Sequence, residues 1–159
     1  MSSTGDGETR WLGRQEMAAW RTYIVGSALL EHRLSRELQA VHGLSLADYE
    51  ILVRLSEHPD RQLRMSRLAE DVAHSKSRIS HQIRRLESKG LVQRGECSED
   101  ARGVLALLTE EGAHLLEQAA PTHVAGVREH MVDLLTPGEQ QMLSEVFQRV
   151  TAHLRSKED

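Results

Sequence analysis

Residues Ser75 to Gly112, SKSRISHQIRRLESKGLVQRGECSEDARGVLALLTEEG, narrow the possible folds more than any other part of the chain. A basic, helix-forming run stops at Lys89-Gly90, where glycine suits the left-handed residue that ends a helix. Two short apolar segments follow, Leu91–Arg94 and Val104–Leu108, with the polar stretch from Gly95 to Gly103 between them. That order is a helix followed by a β-wing. At 100° per residue, Ile79, Ile83 and Leu86 share one face of the helix. Ser77, His81, Arg84 and Ser88 lie opposite, flanked by Arg78 and Arg85. One side can pack while the other stays free.

The free side has the chemistry of major-groove contact. Arg can make paired hydrogen bonds to guanine, Gln and His reach base edges, and short hydroxyls permit close approach. The candidate reading set is Lys76, Ser77, Arg78, His81, Gln82, Arg84 and Arg85. A lone Arg-rich helix is as often an ordinary solvated face, so the neighbouring segments decide. Met65–Ala73 has Ser66 as N-cap and Leu68, Ala69 and Val72 as a short apolar face, the pattern of the first helix of a helix-turn-helix. Residues 61 to 94 carry nine cations against three acids, net +6 in a chain of net −4, which leaves about −10 for the remainder. A cationic face on an acidic body points to a polyanion at one surface.

In the loop, Arg102 stands where a guanidinium can enter a narrow minor groove, and Asp100 can hold it extended by an ion pair. Alone, such a pair is more often a surface salt bridge of about 0 to 1 kcal/mol. The run LESKGLVQR, the D-A-R of residues 100–102 and the LTEEG of residues 108–112 together resemble the MarR family of winged-helix transcription regulators. The motifs cover residues 44 to 112, and the layout covers nearly the whole chain. The resemblance implies that Arg102 is the wing-tip minor-groove residue, Asp100 its positioning partner, and the outer face from Ser77 to Arg85 the major-groove reader. Ala101 stands where many members carry a second Arg, which leaves open how many cations the wing supplies.

The flanks predict helices. Met17, Trp20, Ile24, Ala28, Leu34 and Leu38 form one stripe over residues 17–41, broken at Gly43. Ser45 with Asp48 has capping-box spacing, and Leu44 with Tyr49 has staple spacing, which starts a helix running to about Glu57. A short strand is expected over 61–65. Glu110 to Leu135 reads as one long helix containing Pro121, which removes a hydrogen bond or bends it. Thr136-Pro137-Gly138-Glu139 starts the last helix, with Leu143, Val146, Phe147, Val150 and Leu154 on its apolar side. Three such helices expose more apolar surface than one small lobe covers, and a helical homodimer would cover it, as in the family.

The expected fold is mainly α (α+β): a winged helix-turn-helix with N- and C-terminal dimerisation helices. Residues 1–10 are read as a disordered tail and 11–159 as one domain. Within it, 11–43 and 113–159 supply dimerisation helices and 44–112 the DNA-binding lobe. Neither a signal peptide nor an apolar run of about 18 residues stands out, so a cytoplasmic protein with no membrane partner is expected. Cys97 lies among Glu96, Glu99 and Asp100, which disfavour a thiolate. No catalytic grouping or cofactor motif appears, and neither an enzyme nor a cofactor is expected.

Nine histidines raise a zinc-responsive alternative, but no H-x-x-x-H occurs. Glu50 with His123 is the candidate pair. An effector cleft is expected among Trp20, Tyr23, His42 and Tyr49, with Trp11, Arg21 and His32 nearby, although aromatics at helical spacing are more often core. The expected partners are double-stranded DNA, a second copy and a small-molecule effector. The expected function is a sequence-specific homodimeric repressor on a pseudo-palindromic operator, relieved by that effector. A winged-helix protein-interaction module is the other alternative.

Overall fold

Between the predicted start signals, the chain forms α1 (Arg14–His42), α2 (Leu46–Ser56), β1 (Gln62–Arg64), α3 (Met65–Asp71) and α4 (Lys76–Ser88). The hairpin β2 (Val92–Glu96) and β3 (Val104–Leu108) follows, and then α5 (Glu110–His130) and α6 (Pro137–Arg155). This computed structural model describes residues 9–98 and 103–157. Most of the N-terminal tail and the wing tip, including Asp100 and Arg102, lie outside the described residues.

Hydroxyl caps set four helix starts. Ser45, Ser75, Thr109 and Thr136 each accept a hydrogen bond from the backbone three residues on. Thr136 and Glu139 close a reciprocal capping box. Two boundaries differ from the sequence reading. Arg64, not Ser66, stands at the N-cap of α3, because β1 runs into that helix without a loop. The long helix α5 ends at His130 rather than Leu135, since Met131 leaves helical geometry at φ −143° and a short 3₁₀ turn follows. Asp48 also departs from expectation: its carboxylate leaves the α2 capping box and turns to Arg85.

The sheet runs β1-β3-β2, antiparallel throughout, with Ala106 opposite both Leu63 and Arg94. Its inner side packs on α2, α3 and α4 around Ile51, Leu52, Leu55, Leu68, Ile83, Leu86 and Val92, all fully buried. Leu44 and Tyr49, the staple pair, belong to the same core. Burying one such side chain contributes roughly 1.5 to 3 kcal/mol.

The motif that joins α4 to α5 acts as a lock. Gly90 adopts φ 74°, which ends α4 and sends the chain into β2. The Thr109 hydroxyl donates to the Gly90 carbonyl at 2.7 Å, and the Thr109 amide donates to the Leu91 carbonyl at 3.1 Å. A Cβ at Gly112 would stand 2.1 Å from that same Leu91 oxygen, so only glycine fits. The end of the basic helix is thereby fixed to the start of α5, which itself packs on α1. Two long-range bonds tie that last pair: His42 Nε2 to Thr122 Oγ1 and His130 Nε2 to Glu37 Oε1, each 2.8 Å.

Candidate nucleic-acid interface

Burial along α4 divides its residues. Ile79, Gln82, Ile83 and Leu86 are buried, while Lys76, Ser77, Arg78, Ser80, His81 and Arg84 are exposed. Gln82 therefore leaves the candidate reading set. It is 5% exposed, and its Oε1 lies 3.2 Å from His74 Nδ1 in the turn between α3 and α4. Positions 79, 82, 83 and 86 follow the i, i+3, i+4, i+7 rule, so an amide here occupies the core stripe. Bonded to His74, it holds the turn and does not face outward. Ala73 in that turn sits at φ 53°, a left-handed conformation that is uncommon for a side chain with a Cβ.

Arg85 is corrected in the same way. Its guanidinium hydrogen-bonds the carboxylate of Asp48, a side chain only 3% exposed. Arg85 thus ties α4 to the start of α2 through its guanidinium while the side chain stays 44% exposed. The cationic segment is reduced further by pairing. Arg61 meets Glu110, Arg67 meets Asp71 and Arg94 meets Glu87, at 3.1, 3.0 and 2.9 Å. Lys89 donates to the Gly43 carbonyl at 3.3 Å, and Arg64 has an interaction partner of its own. The side chains of Lys76, Arg78 and Arg84 form no hydrogen bond or ion pair with a described residue. Of the nine cations counted along the sequence, three are unengaged among the described residues, all on the exposed side of α4.

Ser80 was missing from the candidate set. It is exposed one turn after Lys76, and its i+4 spacing from Lys76 was the available signal. The hairpin continues past β2, where the Cys97 amide donates to the Gly103 carbonyl at 3.1 Å. Cys97 is half-buried.

The four candidate cleft residues separate into two places. Tyr23 stacks on Trp20 and on Phe147 of α6, with ring centroids 6.1 and 5.3 Å apart. It borders a cavity of about 750 Å³ between α1, the end of α5 and α6. His42 bonds Thr122, and Tyr49 packs on His123 at 4.5 Å, both against α5. Burial raises the Tyr49 pKa and lowers that of His123, whose Nδ1 is buried without a partner. A different cavity, about 400 Å³, lies between α1, α2 and the α3–α4 turn, bordered by Glu31, His32, Glu50, His74 and Arg78. Burial pushes the Glu50 carboxyl up, opposed by the nearby His74 and Arg78.

Glu50 borders that cavity while His123 packs on Tyr49, and nothing in this arrangement supports the zinc alternative. No group of three or more His, Cys, Asp or Glu side chains is placed to hold a metal ion among the described residues. The same residues include no helix long and apolar enough to cross a membrane.

Comparison with known proteins gives one answer. The MarR family model matches residues 44–104. AbsC, a MarR family transcriptional regulator from Streptomyces coelicolor, is 47% identical, with a TM-score of 0.87 over 93% of this chain and 99% of that one. A second regulator of that family and organism, solved in complex with DNA, is 43% identical, with a TM-score of 0.89 over 94% and 93% of the two chains. An HTH-type transcriptional regulator of Bacillus cereus is 30% identical over 127 residues, 80% of this chain and 83% of its own. The chain belongs to the MarR family of winged helix-turn-helix transcriptional regulators, a family of non-enzymatic proteins.

Proposed function

We propose that the protein is a cytoplasmic homodimeric repressor whose two α4 helices enter successive major grooves of a pseudo-palindromic operator, about 34 Å apart. One observation carries this reading: α4 is locked on its inner side, and its outer side presents Lys76, Arg78 and Arg84, exposed and without a hydrogen bond or ion pair to a described residue, beside Ser77 and His81. Arg102, with Asp100 positioning it, reads the adjacent minor groove from the wing. The relative solved with DNA, similar over nearly its whole length, supports DNA as the ligand.

The unburied apolar side chains of α1 and α6 support the dimer. Trp20 is 54% exposed, Leu29 66% and Met142 65%. The helix α6 has no buried residue at all. Relief by an effector has support in the cavity between α1, α2 and the α3–α4 turn, because Arg78 of the reading face borders it. A ligand there acts on the recognition helix directly, and through it on the spacing between the two copies. The cavity bordered by Tyr23 is the second place where an effector can bear on dimer geometry.

Fluorescence anisotropy on duplex from upstream of the gene, against scrambled duplex, tests the reading. Tight, sequence-dependent and steeply salt-dependent binding is expected. Arg102→Ala is expected to weaken binding and to abolish preference for A·T-rich flanks. Equal, weak and salt-insensitive binding to both duplexes would refute DNA recognition and favour a protein-interaction module.

A further inference from the structure

Beside the reading face, where α3, α4 and the base of the wing meet, lies a hollow of about 340 Å³ bordered by Arg64, Met65, Ser66, Lys76, Ser80 and Val104. We infer that this hollow is a clamp for one backbone phosphate of the duplex, gripped by the Lys76 ammonium with the hydroxyls of Ser66 and Ser80. The inference rests on the DNA-binding reading above and reassigns Lys76 from base reading to phosphate holding.

Three observations carry it. The first is the charge of the lining. Among the described residues it holds two cations and two hydroxyls and no carboxylate. The neighbouring hollows differ: one sets Glu31 and Glu50 beside Arg78, and the other sets Glu70 beside Arg155 and the same Lys76. An anion in this hollow therefore meets no carboxylate among the described residues, as it would in either neighbour. Arg64 already has a partner, so the charge on offer is that of Lys76, which has none among the described residues.

The second is helical register. Lys76 and Ser80 lie one turn apart on a line displaced by about 100° from the line of Ser77, His81 and Arg84. If that second line faces base edges, the first meets the groove wall, where the phosphates run. The third is the chemistry of the donor. An ammonium is a compact point charge with three rotatable N–H donors, which suits a phosphate oxygen. Base edges are read better by paired planar donors, such as those Arg78 and Arg84 present.

The test is anisotropy of the full-length parent, Lys76→Gln, Ser80→Glu and Arg78→Ala, on the upstream duplex and its scrambled counterpart, from about 50 to 200 mM salt. For Lys76→Gln, the slope of log affinity against log salt should fall by about 0.9 on both duplexes. Across that fourfold salt range the variant then loses about 3.5-fold less affinity than the parent. Ser80→Glu, which places a carboxylate in the hollow, should weaken both duplexes in equal proportion. Arg78→Ala should weaken chiefly the upstream duplex.

An unchanged slope in Lys76→Gln, or a loss confined to the upstream duplex, would overturn the clamp and return Lys76 to base reading. Saturable binding of inorganic phosphate alone, lost in Lys76→Gln while the DNA slope stays fixed, would overturn it in favour of a free-anion site. A parent that binds neither duplex would show that DNA recognition itself had failed, and the clamp with it.

Discussion

The winged lobe and the outer helices are built on opposite plans. From Leu44 to Leu108, apolar side chains other than Val104 turn mostly inward, and Ile51, Leu52, Leu55, Leu68 and Ile83 are each 0% exposed. On α6 the apolar side is open, with Val146, Val150 and Leu154 at 36%, 43% and 57% exposure. The N-terminal half of α1 is equally bare, carrying Trp20, Ile24, Val25 and Leu29. The lobe closes its core with Leu38 of α1 and Ala119 of α5, both fully buried. The outer helices keep helical form through caps and spacing, and leave their apolar stripes to another surface.

The sharpest way to break this contrast is to disturb the lobe where it has no slack. Gly112→Ala sets a methyl against the Leu91 carbonyl and the Leu108 side chain, at 2.1 and 2.8 Å before any shift. Because the near atom is backbone, relief requires moving the α4–β2 junction. We expect a loss of about 3 kcal/mol, near the upper end of overpacking costs, read as a lower urea midpoint. A parent-like midpoint would mean that the junction yields easily.

The outer helices should respond differently. Val150→Asp puts an unpaired carboxylate on the α6 stripe without touching the lobe core. The proposed dimer should weaken at least tenfold, because burying such a charge is costly, and light scattering should report monomer at low micromolar concentration. The lobe should keep its helical signal, while the dependence of Tm on protein concentration disappears. Should the variant remain dimeric, the partner surface lies elsewhere.

A smaller effect is expected where the lobe meets the reading face. Arg85→Ala leaves the buried Asp48 carboxylate without its cation, while Asp48→Asn keeps an acceptor for the guanidinium. Arg85 is 44% exposed, so solvent screens part of the loss. We expect about 1 to 2 kcal/mol for Arg85→Ala in chemical denaturation, and less for Asp48→Asn. Affinity for scrambled duplex should change little in either. A large affinity loss with unchanged stability would put Arg85 back on the DNA.

What the sequence disclosed follows the same division. Stripes, caps and the hairpin are local: Ile79, Ile83 and Leu86, or Thr136 with Glu139, declare themselves within one or two turns. Gln82 was legible too, since its spacing from Ile79 and Leu86 is that of the core stripe, but its polar side chain drew it to the wrong face. Arg85 was not legible. Its partner Asp48 lies 37 residues away, and the capping-box spacing beside Ser45 offered a nearer role for that carboxylate. Charge counting left the pairing out for the same reason, because Glu110 meets Arg61 from 49 positions downstream. The aromatic cleft separated because Tyr23 and Tyr49 lie on different helices, and only packing places one against Phe147 and the other against His123. The metal pair was suggested by composition and undone by the direction of side chains on α2, where consecutive Tyr49 and Glu50 face different neighbours.

The smallest effect expected is one of pH, and it sits where the lobe meets α5. His123 stacks on Tyr49 with its Nδ1 buried and unpartnered, so folding favours the neutral ring and burial lowers its pKa from the ordinary 6.5. The unfolded chain then takes up a proton before the folded one does. Stability from this group is complete above about pH 6.5 and is lost as pH falls through the folded value. Glu50 acts in the opposite sense: its raised pKa favours the protonated form, so its contribution is full below about 4.5 and fades as pH rises. Glu37, lowered chiefly by its bond to His130, loses its contribution below about 4.5. The decline of Tm just below pH 6.5 should therefore be shallower in His123→Gln than in the parent, with the two curves separating before the carboxylates titrate. Parallel curves would mean that the ring takes its proton without cost, and that the contact between the lobe and α5 is open enough to admit water.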